Sequence, residues 1–210
     1  TNRGLAPLAQ PFYSPINPET GERYEGVIPG WNRYDPVYLA NNITYDRNRF
    51  QINPSAFLEL SPLEGLTMRS AIGFDGFDER VTQTRLPSYV GSLNNGSNAE
   101  DFRRDVLMTV SNTVEYDFNI AERHAITVLG GHEFSDFDRE GFGASSNGHT
   151  DDRLVLLEQG PNNRNVSQYK SEWSLESYFA RLTYGFSDKY FVNATIREDG
   201  SSRFGRDNRK

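Results

Sequence analysis

From about residue 40 onward, apolar and polar side chains alternate with period two, the signature of strands that present one apolar face. The clearest run is Val106 to Phe118. Val106, Met108, Val110, Val114, Tyr116 and Phe118 share one face, interrupted only by Asn112, and Leu107, Thr109, Ser111, Thr113, Glu115 and Asp117 take the other. Such a run is far longer than the roughly 5 to 6 residues of an ordinary strand, and long enough to cross a bilayer when tilted.

Other segments follow the rule with less purity. Leu66, Met68, Ile72 and Phe74 alternate with Thr67, Arg69, Ala71, Gly73 and Asp75, and His124, Ile126, Val128, His132 and Phe134 alternate with Ala125, Thr127, Leu129 and Glu133. Tyr178, Ala180, Leu182, Tyr184 and Phe186 oppose Phe179, Arg181, Thr183 and Gly185; Tyr190, Val192, Ala194 and Ile196 oppose Phe191, Asn193, Thr195, Arg197 and Asp199. Between Phe50 and Leu60, Pro54 cannot donate to a sheet ladder, so a bulge or an unpaired strand end is expected there. Trp173 and Leu175 have the wrong parity for the apolar face, which predicts either a register shift near Ser177 or a strand rising beyond the membrane.

The connections alternate as strictly as the faces. Ser61 to Glu64, Asn119 to Arg123 and Ser187-Asp188 are short, whereas Phe77 to about Arg103 and Asp138 to about Glu172 read as long, polar loops. A meander puts every second connection at the same end of the sheet. Tight turns therefore gather at one end and long loops at the other, as in outer-membrane barrels. The expected fold is all-β, an antiparallel meander of about six or seven long strands. Residues 1–38, rich in Pro, Gly, Asn and Tyr without sustained periodicity, read as an irregular, extracellular-type loop, with the barrel portion at 39–210. The rival is a soluble β-sandwich, a glycan-binding module whose apolar faces form a dry core.

Composition narrows the field. Only 36% of residues are apolar while aromatics reach 13%, and no stretch approaches the roughly 20 apolar residues of a membrane helix. A formal charge of -7 with no basic cluster argues against nucleic acid. The absence of cysteine removes thiol catalysis, thiolate metal sites and disulfides within these 210 residues. Thr1 to Gly4 carry no charged-then-apolar leader, so any export signal is expected outside this sequence.

Candidate chemistry is sparse. His124 and His132, eight residues apart, stand roughly 26 Å from each other along a strand and cannot share an ion. His149, beside Asp151 and Asp152, reads as part of a solvated loop more readily than as a weak cation site. Carboxylates are abundant, but a catalytic pair is defined by its placement across a sugar, which sequence does not show, and acidic residues flanking loops are commonly solvent-facing; nucleophile elbow, P-loop and dinucleotide fingerprint are all absent. No catalytic residue, metal or cofactor is expected, and the chain does not read as an enzyme. Tyr116, Phe118, Tyr184, Phe186 and Tyr190 lie beside the short turns, where an interfacial girdle belongs. Arg69, Glu115, Arg181 and Arg197 are candidates for a lumen wall. Tyr89, Tyr169 and Trp173, in or near the long loops, are candidates for ligand contact.

Ser177-Tyr178-Phe179-Ala180-Arg181-Leu182-Thr183-Tyr184, then Asp188-Lys189-Tyr190, then Ala194 to Gly205 resembles the hairpin shared by SusC/RagA-type TonB-dependent transporters. Leu58 to Leu66 is similar to a turn of the same barrels, and His124 to Glu133 to the strand ahead of a long loop. The resemblance implies an internal part of a barrel of about 22 strands with an N-terminal plug, energised through TonB at a segment outside this chain. It further implies a SusD-like lipoprotein lid, oligosaccharide or peptide substrates, and residence among the lipids of a Gram-negative outer membrane.

Overall fold

The structure, a computed structural model, describes residues 13–30, 33–89, 95–121 and 123–204. Expectations for residues 1–12, 31–32, 90–94, 122 and 205–210 lie outside the described residues. The elements are β1 Val27–Ile28, β2 Arg33–Tyr34, α1 Pro36–Asn42, β3 Ile43–Ile52, β4 Ser55–Leu63, β5 Leu66–Arg85, β6 Ser97–Ile120, β7 His124–Asn147, β8 Asn162–Phe186 and β9 Tyr190–Ser201. β1 and β2 pair with each other. The other seven strands form one sheet in the order β3-β5-β6-β7-β8-β9, with β4 also paired to β5.

Pro54 behaves as its chemistry requires. β3 stops at Ile52 and β4 resumes at Ser55, so β3 and β4 lie against β5 as one interrupted strand. The missing N–H breaks the ladder, but the Pro54 carbonyl still accepts from the Phe74 N–H at 3.0 Å. α1 begins with Asp35, whose Oδ1 accepts from the Val37 N–H at 2.8 Å, followed by proline at the first helical position, where no N–H is needed. The sequence pattern contained no sign of this helix, which is only 7 residues long.

The strands exceed their sequence-based lengths. β5 has 20 residues, β6 and β7 have 24 each and β8 has 25. The expected long loops at 77–103 and 138–172 are therefore mostly strand, and the connections shrink to 86–96 and 148–161. Alternation of short and long connections survives this correction. The extra strand residues went undetected because both of their faces are polar or mixed, and a period-two signal needs a contrast between faces.

By its contacts the chain divides into two compact units. One takes the segments up to Arg49, Glu79–Arg103 and Gly141–Tyr169; the other takes Phe50–Asp78, Arg104–Glu140 and Lys170 onward. The second unit holds the alternating segments that the sequence pattern identified. The first holds most of what read as loops.

No soluble-type core exists among the described residues. Only Ile28 and Leu39 are buried apolar side chains, at 4% and 8% exposure. A sandwich needs a second sheet over the apolar face, and here the only other sheet among the described residues is the two-stranded β1–β2 pair. Register also settles the question at Ser177. β8 and β9 pair without interruption from Leu175↔Ser201 to Phe186↔Tyr190, so no shift occurs there.

Candidate functional site

In the second unit the register sorts the side chains into two faces. Across β8 and β9, Ala180↔Ile196, Leu182↔Ala194, Tyr184↔Val192 and Phe186↔Tyr190 form one continuous apolar face. Across β4 and β5, Ala56↔Ile72 and Leu60↔Met68 do the same. Met68, Ile72, Val114, Val128, Leu182 and Ile196 are all exposed, Ile196 to 73%. Leaving such residues in water forfeits roughly 1.5–3 kcal/mol each relative to burial, so this face demands an apolar neighbour.

The apolar band has marked ends. Beside the tight turns, Tyr116 stacks on Phe118 with centroids 5.2 Å apart, and the His124 ring lies 5.8 Å from Tyr184 and 5.0 Å from Phe186. His124 Nδ1 and the Tyr184 hydroxyl are hydrogen-bonded at 2.7 Å. At the opposite end of the same face, Arg104 grips Asp78 in bidentate fashion at 2.7 and 2.8 Å and lies 3.8 Å from Glu140. Lys170 bridges Asp138, at 3.4 Å, and Glu172. With strands tilted by about 40°, the intervening apolar stretches give a band roughly 20 to 30 Å tall, against about 25 Å in transmembrane barrels.

The opposite face is a lattice of ion pairs, and it carries the four polar candidates. Arg181 pairs with Glu115 at 3.2 Å. Arg69 lies 3.5 Å from Glu59 and covers the Phe57 ring at 4.2 Å. Arg197 contacts Glu133 at 3.3 Å and Asp199 at 2.7 Å, donates to Ser177 Oγ at 2.9 Å and lies over the Phe179 ring at 5.6 Å. Ser177, fully buried, donates in turn to Asp199. The structure thus unites two candidates, Arg181 and Glu115, and gives Arg69 and Arg197 other acidic partners. Glu59, Glu133 and Asp199 could not be chosen from sequence, since parity places them on the polar face but not their register against a given arginine.

The three aromatic candidates have separate neighbours. Tyr89 belongs to a cluster with Tyr34 and Tyr38, at 5.6 and 6.0 Å between ring centroids. Burial, and then the two neighbouring phenols, push its hydroxyl pKa up. Tyr169 lies over Gly141 of β7 and is 48% exposed. Trp173 is a mid-strand residue and not a loop residue: it stacks on Phe137 at 5.3 Å with Arg203 on its ring at 5.8 Å.

His149 corrects an expectation. It is 1% exposed rather than solvated, and its Nδ1 lies within hydrogen-bonding distance, 3.0 Å, of the Leu154 carbonyl. Donation from Nδ1 leaves Nε2 as the acceptor; Nε2 and the nearby Ser146 Oγ have no protein partner. Asp151 is engaged by Arg153, whose side chain and backbone N–H hold the carboxylate below its ordinary pKa, and Asp152 accepts from the Ser88 N–H and Oγ at 2.9 and 2.6 Å. No three His, Asp or Glu side chains converge as metal ligands among the described residues.

Comparison with known proteins follows the same lines. No family model matches the chain. It is 32% identical over 216 residues to TonB-dependent receptor P26 of Formosa agariphila, covering 95% of this chain and 20% of that protein. It is 28% identical over 218 residues to TonB-dependent receptor SusC of Bacteroides thetaiotaomicron, covering 95% and 21%. A solved structure of the RagAB peptide transporter superimposes with a TM-score of 0.82 at 32% identity over 90% of this chain and 22% of that one. The RagAB peptide importer in its open-open state gives 0.81 at 33% identity with the same coverage. The chain spans about a fifth of the length of the curated relatives it matches. It belongs to the TonB-dependent receptors, and within them to the SusC/RagA type.

Proposed function

We propose that this chain supplies part of the wall and outward-facing loops of an outer-membrane importer for oligosaccharides or peptides. The observation that carries the reading is the exposed apolar face of the second unit, bracketed by aromatic rings beside the tight turns and by the Asp78–Arg104–Glu140 and Asp138–Lys170–Glu172 ion pairs at the other end. Lipid is the neighbour such a face requires.

On this reading the protein resides in the outer membrane of a Gram-negative bacterium. Arg69, Glu115, Arg181 and Arg197 line the lumen, and Tyr89, Tyr169 and Trp173 are available to solute. The segment up to about residue 38 is an outward excursion ahead of the barrel wall. Energy comes from TonB through a segment outside this chain, and a SusD-like lipoprotein covers the outer mouth. The kinship with a peptide transporter and with SusC supports an import role and leaves both substrate classes in play.

Spin labels at Met108, Val110 and Val114 of the full-length protein in lipid bilayers test the reading. Accessibility to oxygen and exclusion of water-soluble relaxants are expected at all three. Uniform water exposure there would overturn it.

A further inference from the structure

The polar face of the first unit carries an unusual floor. β7 places Gly141 and Gly143 two residues apart, so two successive positions on that face have bare backbone, both buried under neighbouring side chains. A Cβ on Gly143 would stand 2.5 Å from Asp101 Oδ1 and 3.0 Å from Ser167 Oγ. One on Gly141 would meet the Tyr169 ring and hydroxyl at 2.6 Å. At Gly141 an added Cβ would also stand 2.7 Å from the Phe102 carbonyl of β6, so only glycine leaves the backbone room there, whereas at Gly143 it is the ends of the Asp101 and Ser167 side chains that close over bare backbone. A cavity of about 190 Å³ opens there, lined by Asp101, Gly143, Ser145, Asn165 and Ser167.

Tyr169 over Gly141 has a structural explanation, because an aromatic ring commonly covers a strand glycine; Phe179 covers Gly131 in the same manner. That explanation does not extend to Gly143. Its cover is a carboxylate and a hydroxyl, which bring no apolar area to the backbone. Asp101 moreover has no ion-pair partner among the described residues, whereas Asp105, the next carboxylate on the same face of β6, is held by Arg139. An exposed, unpaired carboxylate beside an amide and two hydroxyls offers acceptors and donors at several angles around one small space.

We propose that this cradle is a subsite for a single uncharged sugar ring and that Asp101 selects against anionic ones. The carboxylate accepts from adjacent ring hydroxyls, and charge-assisted hydrogen bonds of that kind are the stronger ones. Asn165 both donates and accepts, and Ser145 and Ser167 do the same. A uronate or sulfated ring brings like charge to Asp101, a repulsive element that confers specificity. A peptide ammonium would satisfy Asp101 but would leave the amide and hydroxyls of the cradle without partners.

The inference rests on the import reading in one respect, that the polar face of β6 to β8 meets solute. The test is an array of neutral, uronate-containing and sulfated oligosaccharides, with a mixed peptide pool, probed with the full-length protein. Retention of at least one neutral glycan is expected. Gly143→Ala and Asp101→Lys should each weaken it about tenfold or more. Asp101→Asn should raise binding of anionic glycans relative to neutral ones. Gly130→Ala, on the same strand with nothing within 4 Å of the added methyl, is the control for folding and should leave binding unchanged. Retention of only anionic glycans or peptides, no glycan at all, or neutral binding indifferent to both cradle variants would overturn the subsite. Water exposure at Met108, Val110 and Val114 would count against the import reading and not against this one.

Discussion

Arg181 on β8 reaches across β7 to Glu115 on β6, closing to 3.2 Å between Nη2 and Oε2 across 66 residues of sequence. A side chain that spans an intervening strand ties second neighbours in a sheet whose backbone hydrogen bonds join only first neighbours. Both ends remain partly exposed, so the pair contributes modestly. A double-mutant cycle with Arg181→Ala and Glu115→Ala should give a coupling of about 0.5 kcal/mol. Urea unfolding of the full-length protein in micelles measures it, and a coupling above about 2 kcal/mol would mean that the pair is desolvated in the intact protein.

Opposite faces of one strand should respond differently to the same charge. Val110 and Thr109 are adjacent on β6 and point to opposite faces. Val110→Arg should cost about 2–4 kcal/mol near mid-bilayer, whereas Thr109→Arg should cost well under half of that. Equal costs, read from unfolding in lipid vesicles, would contradict the assignment of faces.

Gly65 closes the turn between β4 and β5 with φ at +76°. An added Cβ would also strike the Asp117 carbonyl of β6, whose own N–H donates to the Gly65 carbonyl at 2.8 Å. Gly65→Ala therefore combines left-handed strain with a backbone collision, and a loss of at least about 2 kcal/mol is expected. Gly73→Ala, which meets no neighbour within 4 Å, should fall well short of that loss in the same unfolding assay.

Tyr89 supplies a pH signature. Burial, followed by the proximity of Tyr34 and Tyr38, raises its pKa above the ordinary phenol value, with Arg85 opposing. The folded state therefore holds the proton more tightly than the unfolded chain. The resulting stability is complete below the unfolded pKa of about 10 and is lost as pH rises through the higher folded value. A tyrosinate absorbance titration of the wild type minus Tyr89→Phe should show a component with a midpoint above 10; a difference midpoint at or below 10 would refute the effect.

Legibility followed contrast. The faces of Val106 to Phe118 and Tyr178 to Phe186 are legible because the contrast between the two parities is strongest there, and the β8–β9 register pairs the faces of the second segment as expected. Pro54 was legible because its missing N–H is a local fact. By contrast Gly141 to Asn147 and Asn162 to Tyr169 read as loop, since a strand with polar residues on both sides has no amphipathic period. Of the cradle, Gly143, Asn165 and Ser167 lay inside those segments, and Asp101 lay inside Phe77 to Arg103, which read as loop for the same reason. α1 was missed because 7 residues are too few to show a helical period.

The sequence by itself determined what depends on neighbours along the chain: which residues share a face, where turns must fall, and that every second connection is short. Only the tertiary structure decided what depends on register between strands. It chose Glu115 for Arg181, Glu133 for Arg197 and Asp78 for Arg104, because residues tens of positions apart become adjacent only when the backbone ladders lock. It also placed Asp101 and Ser167 over Gly143, since the bareness of a glycine becomes a site only when two other strands reach across it.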